Sequence, residues 1–381
     1  MTDKPMIMQI LPALQSGGIE RGTIEIARAL KDANWPNIVV SNGGPMAYEL
    51  KRMGVEHIQL PVHSKNPLMI LKNARKLREI IRDKQVKIVH ARSRAPAWAA
   101  KIALKKCPGV RFLTTFHGVY NTKPEWLKKP YNKVMASGDL VISISNFVTR
   151  HILDNYHIAS SRIRLIYRGA DVEKFDPLKV KPERVIELAE KWQVPVDKPV
   201  LMLPGRLTRW KGHLVVLEAL SKMKNKAVTC LFVGSDQGRD DYHRELKAKI
   251  EKLGLETNVL IRDHCSDMPV AYMLSDIVIS ASTDPEAFGR VIPEAQAMGR
   301  LVVGTDHGGA TETIQDGLTG FLVKPGDSDA LAKTLDMMLD MPMGDRKKMS
   351  VAAMESVRTY FSISKMCEKT LAVYEELTAQ K

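Results

Sequence analysis

Two carboxylates flank a short glycine-containing turn in the segment Glu286-Ala-Phe-Gly-Arg-Val-Ile-Pro-Glu294. A helix that begins near residue 290 would carry Glu294 in its first turns, where the side chain could accept hydrogen bonds from both hydroxyls of a ribose. Glu286 would lie on the loop side, nearer a sugar. The pattern therefore suits a sugar nucleotide, with one carboxylate for the sugar and one for the ribose.

The turn between these carboxylates is suited to a diphosphate. Phe288 and Gly289 precede the expected helix, and glycine allows a ligand to approach the backbone closely. The N–H groups of Arg290 and Val291 have no acceptor within such a helix, so they can meet a phosphate or a sugar hydroxyl. The alternative is a pair of surface carboxylates, one of them favourable at a helix N-terminus.

A second polar motif, Gly205-Arg-Leu-Thr-Arg-Trp-Lys-Gly212, follows a strand-like apolar run. Arg206 could bind a diphosphate in bidentate fashion and Lys211 could bind it as a point charge. Stabilising the charge of a departing nucleoside diphosphate is the largest catalytic need in glycosyl transfer. A solvated basic loop is the alternative for this motif alone.

Two further motifs follow strands in the first half of the chain. Gly17 and Gly18 come after the first strand and open the first helix, so their backbone could approach an anion; a tight turn is the alternative. His117, followed by Gly118, ends another predicted strand and is placed to touch a ligand. A capping or core histidine is the alternative there.

The elements that must position these residues alternate along the chain. Short apolar runs indicate strands, and amphipathic segments between them indicate helices, which predicts parallel βαβ units and doubly wound α/β sheets. Such sheets bind ligands at the carboxyl ends of their strands. The predicted strands are residues 7–11, 37–41, 57–60, 87–91, 111–116, 140–143, 163–167, 200–204, 228–233, 259–262, 277–280 and 301–304.

Length and composition indicate two domains. The chain has 381 residues, of which 44% are hydrophobic and 26% charged, which is ordinary for a globular protein but long for a single core. We place a first domain at residues 1–175 and a second at 176–360, with a terminal helix over 361–381 that packs back on the first. The two would face each other across a cleft that holds the active site.

The distribution of charge and the search for targeting signals predict the cellular compartment of the protein and the charge of its partner. Residues 1–175 carry 29 Lys and Arg against 13 Asp and Glu, whereas the remainder carries 28 against 30. The N-terminal residues lack a signal-peptide pattern, and no apolar run reaches the roughly 18 residues of a membrane span. Four scattered cysteines have no metal-ligand spacing. These features predict a cytoplasmic protein whose first domain meets an anionic partner.

Taken together, these motifs resemble the retaining glycosyltransferases of family 4 (glycosyltransferase group 1), which have the GT-B fold of two Rossmann-like domains. The resemblance is strongest over residues 201–327 and continues more weakly over residues 9–175. It also includes Ser143-Ile-Ser-Asn146, Arg168-Gly-Ala-Asp171-Val-Glu-Lys-Phe175 and Asp316-Gly-Leu-Thr-Gly-Phe-Leu-Val323. Arg290, Arg168 and the His117-Gly118 pair depart from common family residues.

The resemblance implies a role for each motif. Arg206 and Lys211 would hold the donor diphosphate, Glu294 the ribose and Glu286 the transferred sugar, with His117 beside that sugar. The remaining donor-binding residues would be Gly17, Gly18, Gly205, Phe288, Gly289, Arg290 and Val291. The expected enzyme is a metal-independent, cofactor-free hexosyltransferase that retains anomeric configuration. A UDP-sugar donor is favoured over a GDP-sugar.

The acceptor implied is a glycan or glycolipid, and bacterial envelope or lipopolysaccharide synthesis is the expected setting. Three basic segments of the first domain favour peripheral contact with an anionic membrane surface, at the inner face of the cytoplasmic membrane; solvated helix faces are the alternative. These segments are residues 72–82, 101–106 and 123–129, the last with Trp126.

Two other functions compete with glycosyl transfer. A sugar-nucleotide epimerase on the same fold would bind the nucleotide alike but need no acceptor. A non-enzymatic binder of an anionic polymer such as nucleic acid would require aromatic residues interleaved with Lys and Arg. Aromatic residues make up only 6% of the chain, and that function leaves Glu286 and Glu294 unexplained, so no nucleic-acid partner is expected.

Overall fold

The computed structural model describes residues 4–15, 17–195, 197–238 and 240–379. The chain divides into two compact units, Met1–Arg168 with Ser364–Lys381, and Gly169–Ile363. The boundary expected from the sequence lies after residue 175, whereas the observed division falls before Gly169. Ala170 accounts for this difference, because its backbone pairs with Phe361 (N···O 2.7 Å) and Ile363 (N···O 3.0 Å) of the same unit.

The first unit is built on seven parallel strands: β1 (Met6–Ile10), β2 (Asn37–Ser41), β3 (Glu56–Gln59), β4 (Val86–Ala91), β5 (Arg111–Phe116), β6 (Leu140–Ser143) and β7 (Ile163–Leu165). They lie in the order β3-β2-β1-β4-β5-β6-β7. Its helices are α1 (Gly18–Asp32), α2 (Ala47–Arg52), α3 (Pro67–Asp83), α4 (Arg94–Leu104), α5 (Glu125–Asn132) and α6 (Asn146–Tyr156). A 3₁₀ turn, Lys133–Ala136, follows α5.

The second unit holds six parallel strands: β8 (Val200–Pro204), β9 (Thr229–Val233), β10 (Val259–Arg262), β11 (Ile277–Ser280), β12 (Leu301–Thr305) and β13 (Phe321–Val323). Their order is β10-β9-β8-β11-β12-β13. Its helices are α7 (Pro182–Trp192), α8 (His213–Lys222), α9 (Asp240–Lys252), α10 (Met268–Leu274), α11 (Val291–Ala297), α12 (Ala310–Thr313), α13 (Ser328–Asp340) and α14 (Met343–Tyr360).

Three strands of the second sheet are buried along their length, as strands covered by helices on both faces must be. In β8 all five residues are buried, and the same holds for β9 and β12. Their apolar side chains and those of α8, α9 and α13 form one core in the second unit. The predicted architecture of two doubly wound α/β domains is therefore confirmed.

The last helix, α15 (Ile363–Ala379), groups with the first unit from Ser364 on. Its Tyr374 is fully buried, and the hydroxyl lies 2.7 Å from Nδ1 of His90 on β4. The Tyr374 ring also packs against Trp35, with ring centroids 6.2 Å apart. The helix thus completes the cover of this sheet. Residues 380–381 of the predicted terminal helix lie outside the described residues.

The strand β13 is the one element of the second sheet that the sequence did not predict. It has three residues, two of them only half-buried, so it gives neither a long apolar run nor a clear alternation. None of the helices in the described part of the chain combines the length and the apolar character that crossing a bilayer requires.

Candidate active site

The residues predicted in the second half of the chain lie at the topological switch point of its sheet. The strands β8 and β11 are neighbours, and the sheet continues from them in opposite directions, to β9 and to β12. Loops that leave the carboxyl ends of two such strands diverge and open a crevice, where doubly wound α/β proteins bind their ligands. Arg206 and Lys211 follow β8, and Glu286 follows β11.

Glycines let the loop after β8 approach the loops that follow the neighbouring strands β9 and β11 closely. Gly205 follows the strand, and a Cβ on the adjacent Gly234 would lie 2.0 Å from its carbonyl oxygen. Gly212 has a φ of 78° and ends the loop just before α8. A Cβ on Gly212 would lie 1.8 Å from the carbonyl oxygen of Ala281. This contact leaves room only for glycine and brings Lys211 toward the β11 loop.

Lys211 and Glu286 form an ion pair, with Nζ 2.7 Å from Oε1. The hydroxyl of Ser282 donates to the same oxygen over 2.6 Å. The two charged side chains are only 12% and 18% exposed, so solvent screens the pair less than an exposed one. The residues assigned by sequence to the diphosphate and to the sugar are thus in direct contact.

Arg206 lies in the same loop and is exposed. Within the described part of the chain, its guanidinium forms no ion pair or hydrogen bond. Of the two cations predicted to hold a diphosphate, one is therefore held by Glu286 and the other is available to a ligand.

Glu294 lies in the short helix α11, and its carboxylate is 13% exposed. Arg290 contacts Oε1 at 3.0 Å, and the hydroxyl of Tyr272 donates to Oε2 over 3.2 Å. Burial raises the pKa of Glu294, while Arg290 and Tyr272 act to lower it. Burial also holds the pKa of Tyr272 well above its ordinary value. Arg290, which departs from the residue common in the family, thus pairs with the carboxylate predicted to bind ribose.

The turn between the carboxylates rests on a buried aromatic side chain and a second pair of glycines. Phe288 is 3% exposed, and its ring centroid lies 6.0 Å from that of Phe361. Gly289 adopts a φ of 77°. Gly309 donates its N–H to the carbonyl oxygen of Glu286 over 2.8 Å, and a Cβ on Gly309 would lie 2.4 Å from Cα of Phe288. Phe288 can therefore offer a ligand its backbone but not its ring.

The helix α11 begins at Val291, one residue later than the sequence suggested, with Arg290 as its N-cap. The N–H groups of its first turn have no acceptor within the helix. They point out of the N-terminal end, where the helix dipole favours a negative charge.

In the first unit, Gly17 and Gly18 open α1 as predicted. Gly17 has a φ of 163°, which is extended backbone, so a left-handed turn is not the reason for this glycine. The carbonyl oxygen of Gly18 accepts a hydrogen bond from the guanidinium of Arg168. Gly22 makes room for that guanidinium, because a Cβ there would lie 2.2 Å from its Nη1. The Gly17–Gly18 segment is therefore held by Arg168.

His117 follows β5, and its Nε2 is buried with no hydrogen-bond partner among the described residues. Burial holds the pKa of His117 well below its ordinary value, and Arg168 and Arg92 lower it further. The imidazole is therefore neutral near pH 7, and its buried Nε2 has no partner among the described residues.

Sequence reasoning missed several residues that support these groups. Arg92 follows β4, is 2% exposed and donates to Oε1 of Gln9 from Nε (3.0 Å) and Nη2 (2.6 Å). An arginine that directly follows an apolar strand was the available signal. Ser282, which is two residues beyond β11, offered a similar one. Tyr272 and Gly22 offered none, because their roles depend on contacts distant in sequence.

No group of three or more His, Cys, Asp or Glu side chains in the described residues is arranged to hold a metal ion.

Two family patterns match this chain. The pattern described as "Glycosyl transferases group 1" matches residues 185–356, and that described as "Glycosyltransferase Family 4" matches residues 16–174. The first covers the loops after β8 and β11, and the second covers the Gly17–Gly18 segment and His117.

The solved structure of a glycosyltransferase from Rickettsia africae is 44% identical to this chain, covers 100% of both chains and superposes with a TM-score of 0.93. A putative glycosyltransferase of Bacillus subtilis, EpsD, is 26% identical over 355 residues, which is 90% of each protein. The chain therefore belongs to the group 1 glycosyltransferases, and the resemblance stated from its motifs is confirmed.

A third likeness concerns the fold alone. The structure of HepE from Anabaena, determined in complex with UDP-glucose, is 23% identical and has a TM-score of 0.82 over 98% of this chain and 100% of that one.

Proposed function

We propose that this glycosyltransferase moves a hexose from a UDP-sugar to a glycan or glycolipid acceptor with retention of anomeric configuration. The observation that carries the proposal is the Lys211–Glu286 ion pair at the switch point, 2.7 Å between Nζ and Oε1. The likeness in fold to a protein bound to UDP-glucose favours uridine, and a GDP-sugar is the alternative donor.

Donor binding would exchange the partner of Lys211. Its ammonium would move from Glu286 to the diphosphate, where the exposed Arg206 would add a second positive charge. Glu286, still held by Ser282 over 2.6 Å, would then accept hydrogen bonds from hydroxyls of the sugar. One exchange of partners would thus prepare both the leaving group and the sugar site.

Glu294 would bind the ribose. Each carboxylate oxygen has one protein donor, Arg290 on Oε1 and Tyr272 on Oε2, and can accept a further hydrogen bond. Two ribose hydroxyls match this remaining capacity. The N–H groups of the first turn of α11 would face the diphosphate.

The chemical step would be a front-face substitution. The bond from the anomeric carbon to the leaving phosphate oxygen breaks, and the acceptor oxygen bonds to that carbon from the same side through an oxocarbenium-like state. The leaving phosphate oxygen takes the acceptor's proton. Arg206 and Lys211 offset the charge on the leaving group, which is why the proposal requires no metal or other cofactor. Neutral His117 would hold a sugar hydroxyl.

A thermal-shift screen tests the donor proposal. The full chain would be heated with UDP, GDP, ADP and their glucose conjugates, each at the same concentration. Binding at about a hundred times Kd stabilises a protein by roughly 2.7 kcal/mol, so UDP and UDP-glucose should raise the melting temperature and ADP should not. A response to GDP conjugates alone would overturn the choice of uridine, and no response to any would overturn the donor site.

A second measurement separates transfer from epimerisation. The protein is incubated with the bound UDP-sugar, with and without a lipopolysaccharide-type glycan acceptor and with EDTA, and the anomeric protons are followed by NMR. We expect the sugar to be transferred to the acceptor with its anomeric configuration retained, also in the presence of EDTA. An epimerised sugar nucleotide formed without acceptor would support the epimerase instead, and an inverted linkage would contradict retention.

We place the acceptor in the bacterial envelope, in lipopolysaccharide synthesis, with the enzyme cytoplasmic and peripheral on the inner face of the cytoplasmic membrane. The support is the basic excess of residues 1–175 together with exposed apolar side chains near lysines, such as Leu68 (77% exposed) and Trp126 (79%). Sedimentation with anionic and neutral vesicles tests this, and equal, negligible binding to both would overturn it.

A further inference from the structure

A cavity of about 360 Å³ opens on the first unit between α4, the α5 segment with its 3₁₀ turn, and the end of α6. Among the side chains that line it are Trp98, Lys101, Pro130, Lys133 and Arg162. It has room for a phosphate group with part of the molecule that carries it.

This cavity lies at the opposite edge of the sheet from His117. Arg162 directly precedes β7, and Ser137, which also lines the cavity, lies three residues before β6. Strands of a parallel sheet all begin at one edge and end at the other. His117 and Arg92 follow the ends of β5 and β4, so the cavity is separate from these two residues of the same unit.

The charge of the cavity is positive and is not neutralised by its own lining, which contains no Asp or Glu. Neither Lys101 nor Lys133 forms an ion pair with any residue that the structure describes. Arg162 donates to the backbone carbonyls of Gly138 and Asp139, which fix the guanidinium but leave its charge unpaired.

The carboxylate of Asp139, two residues after Ser137 of the lining, already accepts a hydrogen bond from the backbone N–H of Phe112 over 2.7 Å. Burial lowers the pKa of Lys101, and the neighbouring Lys105 and Lys133 lower it further. The cations around the cavity therefore repel one another, and a bound anion would relieve that repulsion.

An exposed tryptophan continues the same surface. Trp126 precedes Pro130, which lines the cavity, by four residues on α5, a spacing that places the two on one side of the helix. Its side chain is 79% exposed. A tryptophan beside lysines is suited to the boundary between lipid headgroups and acyl chains, whereas a soluble phosphate compound gives no reason for such exposure.

We propose that this cavity binds the phosphate of an anionic lipid headgroup at a bilayer surface, with Trp126 entering the interface beside it. Lys101 and Lys133 contact the phosphate, and Arg162 adds charge from the floor of the cavity. The proposal rests on the peripheral membrane association proposed above and specifies its headgroup site, which lies at the opposite edge of the first unit's sheet from His117.

Vesicle sedimentation with matched double variants tests the site. The full chain, Lys101→Ala/Lys133→Ala and the control Lys252→Ala/Lys369→Ala are mixed with vesicles of phosphatidylcholine alone or with added phosphatidylglycerol. Both doubles remove two lysines that form no ion pair with the described residues, so they lose equal charge. Each basic side chain near an anionic surface is worth roughly fivefold in partitioning. The cavity double should therefore lose roughly 10- to 30-fold in partitioning onto anionic vesicles, and the control less than about twofold.

Trp126→Ala should lower partitioning as well and keep the preference for anionic vesicles. An equal loss in both doubles would overturn the cavity site in favour of diffuse charge. The lipid would be overturned as ligand by a different combination of results. In that case inorganic phosphate would raise the melting temperature of the parent but not of the cavity double, and the parent would bind no vesicles.

The UDP melting shift separates this inference from the donor proposal. The cavity double should keep the shift of the parent, which also shows that it folds. A parent that responds to UDP but binds neither vesicle would overturn the lipid site and leave the donor site standing. If the parent binds anionic vesicles through the cavity but does not respond to UDP, the donor site would be overturned and the lipid site would stand.

Discussion

Lys211 and Glu286 illustrate what a contact adds to two residues identified separately. Sequence spacing assigned one to a diphosphate and the other to a sugar, and nothing in that spacing required them to touch. The structure pairs them at 2.7 Å with Ser282 on the same carboxylate oxygen. Loss of either partner would leave the other charge half-buried without compensation, so the two positions should not behave independently.

Lys211→Ala should lower turnover by roughly 10²–10³, because a charge that stabilises the leaving group is lost. The control is Lys222→Ala, which removes an exposed lysine paired with Asp329 at 2.7 Å on the surface of the same unit. Initial rates with saturating donor measure the effect, and circular dichroism checks the fold. Near-normal turnover of the Lys211 variant would contradict the assignment.

Glu294→Gln should weaken UDP binding by roughly 10- to 100-fold, because hydrogen bonds to a charged group are worth about 1.5–3 kcal/mol. Calorimetric titration with UDP measures the loss, and Glu251→Gln, at an exposed position on α9, serves as the control. Burial raises the pKa of Glu294, so affinity in the parent should also fall as the pH drops into the acid range. The Gln variant should lack that component, and the idea fails if both proteins bind UDP equally.

At the scale of elements, glycines decide how closely the loops approach. Gly212 packs against the carbonyl of Ala281, and Gly309 packs beneath Phe288. Each contact joins the end of one strand to the loop that leaves a neighbouring strand. The polar side chains of these loops can meet only because no Cβ intervenes.

Gly212→Ala should therefore cost both stability and activity. The alanine would adopt a left-handed φ of 78°, and its Cβ would lie 1.8 Å from the carbonyl oxygen of Ala281. The loop must therefore shift, which moves Lys211 away from Glu286. Gly254→Ala is the matched control, since its φ is 64° but nothing lies within 4 Å of the added Cβ.

The control should lose about 1 kcal/mol from backbone conformation, and Gly212→Ala at least about 2 kcal/mol more, because the steric clash adds to that cost. Urea unfolding measures both free energies. Equal destabilisation by the two substitutions would show that the Ala281 contact has no energetic role.

Strand boundaries show how far local pattern reaches. Asn37–Ser41, Arg111–Phe116 and Val259–Arg262 begin and end where the sequence predicts, because each contains a run of apolar or β-branched residues and is followed by a polar residue. The short strand β13 carries no such signal, since its place beside β12 is fixed by pairing of Val303 with Phe321. A pairing between segments distant in sequence is not visible in either segment alone.

At the scale of the whole molecule, each sheet has its own switch point and its own set of predicted site residues. Those of the first unit are Gly17, Gly18 and His117, and those of the second unit follow β8 and β11. The basic excess belongs to residues 1–175, which nearly coincides with the main segment of the first unit. Charge and fold thus divide the chain at nearly the same place.

Stability should depend on pH through a buried histidine of the second unit. His213 packs edge-on against Phe232, with ring centroids 5.0 Å apart, and burial lowers its pKa to about 4. The unfolded chain, with an ordinary histidine pKa near 6.5, takes up the proton first as the pH falls. Stability is therefore unaffected above about pH 6.5, and on the order of 3 kcal/mol is lost by pH 4.

His213→Phe should remove this part of the acid sensitivity. Chemical unfolding of parent and variant across this pH range measures the difference between them, in which the contributions of other groups cancel. The same slope in both proteins would show that His213 is not the group responsible.

The sequence by itself determined the fold class, most strand positions, the motifs of the group 1 family and the uneven charge, because these depend on local runs and spacings. Only the tertiary structure decided that Lys211 contacts Glu286, that Arg290 and Tyr272 hold Glu294, and that Gly22 makes room for Arg168. It also decided that Lys101, Lys133 and Arg162 surround one cavity. These contacts join residues far apart in the chain through strand order and close backbone approach, and no local pattern of residues records either.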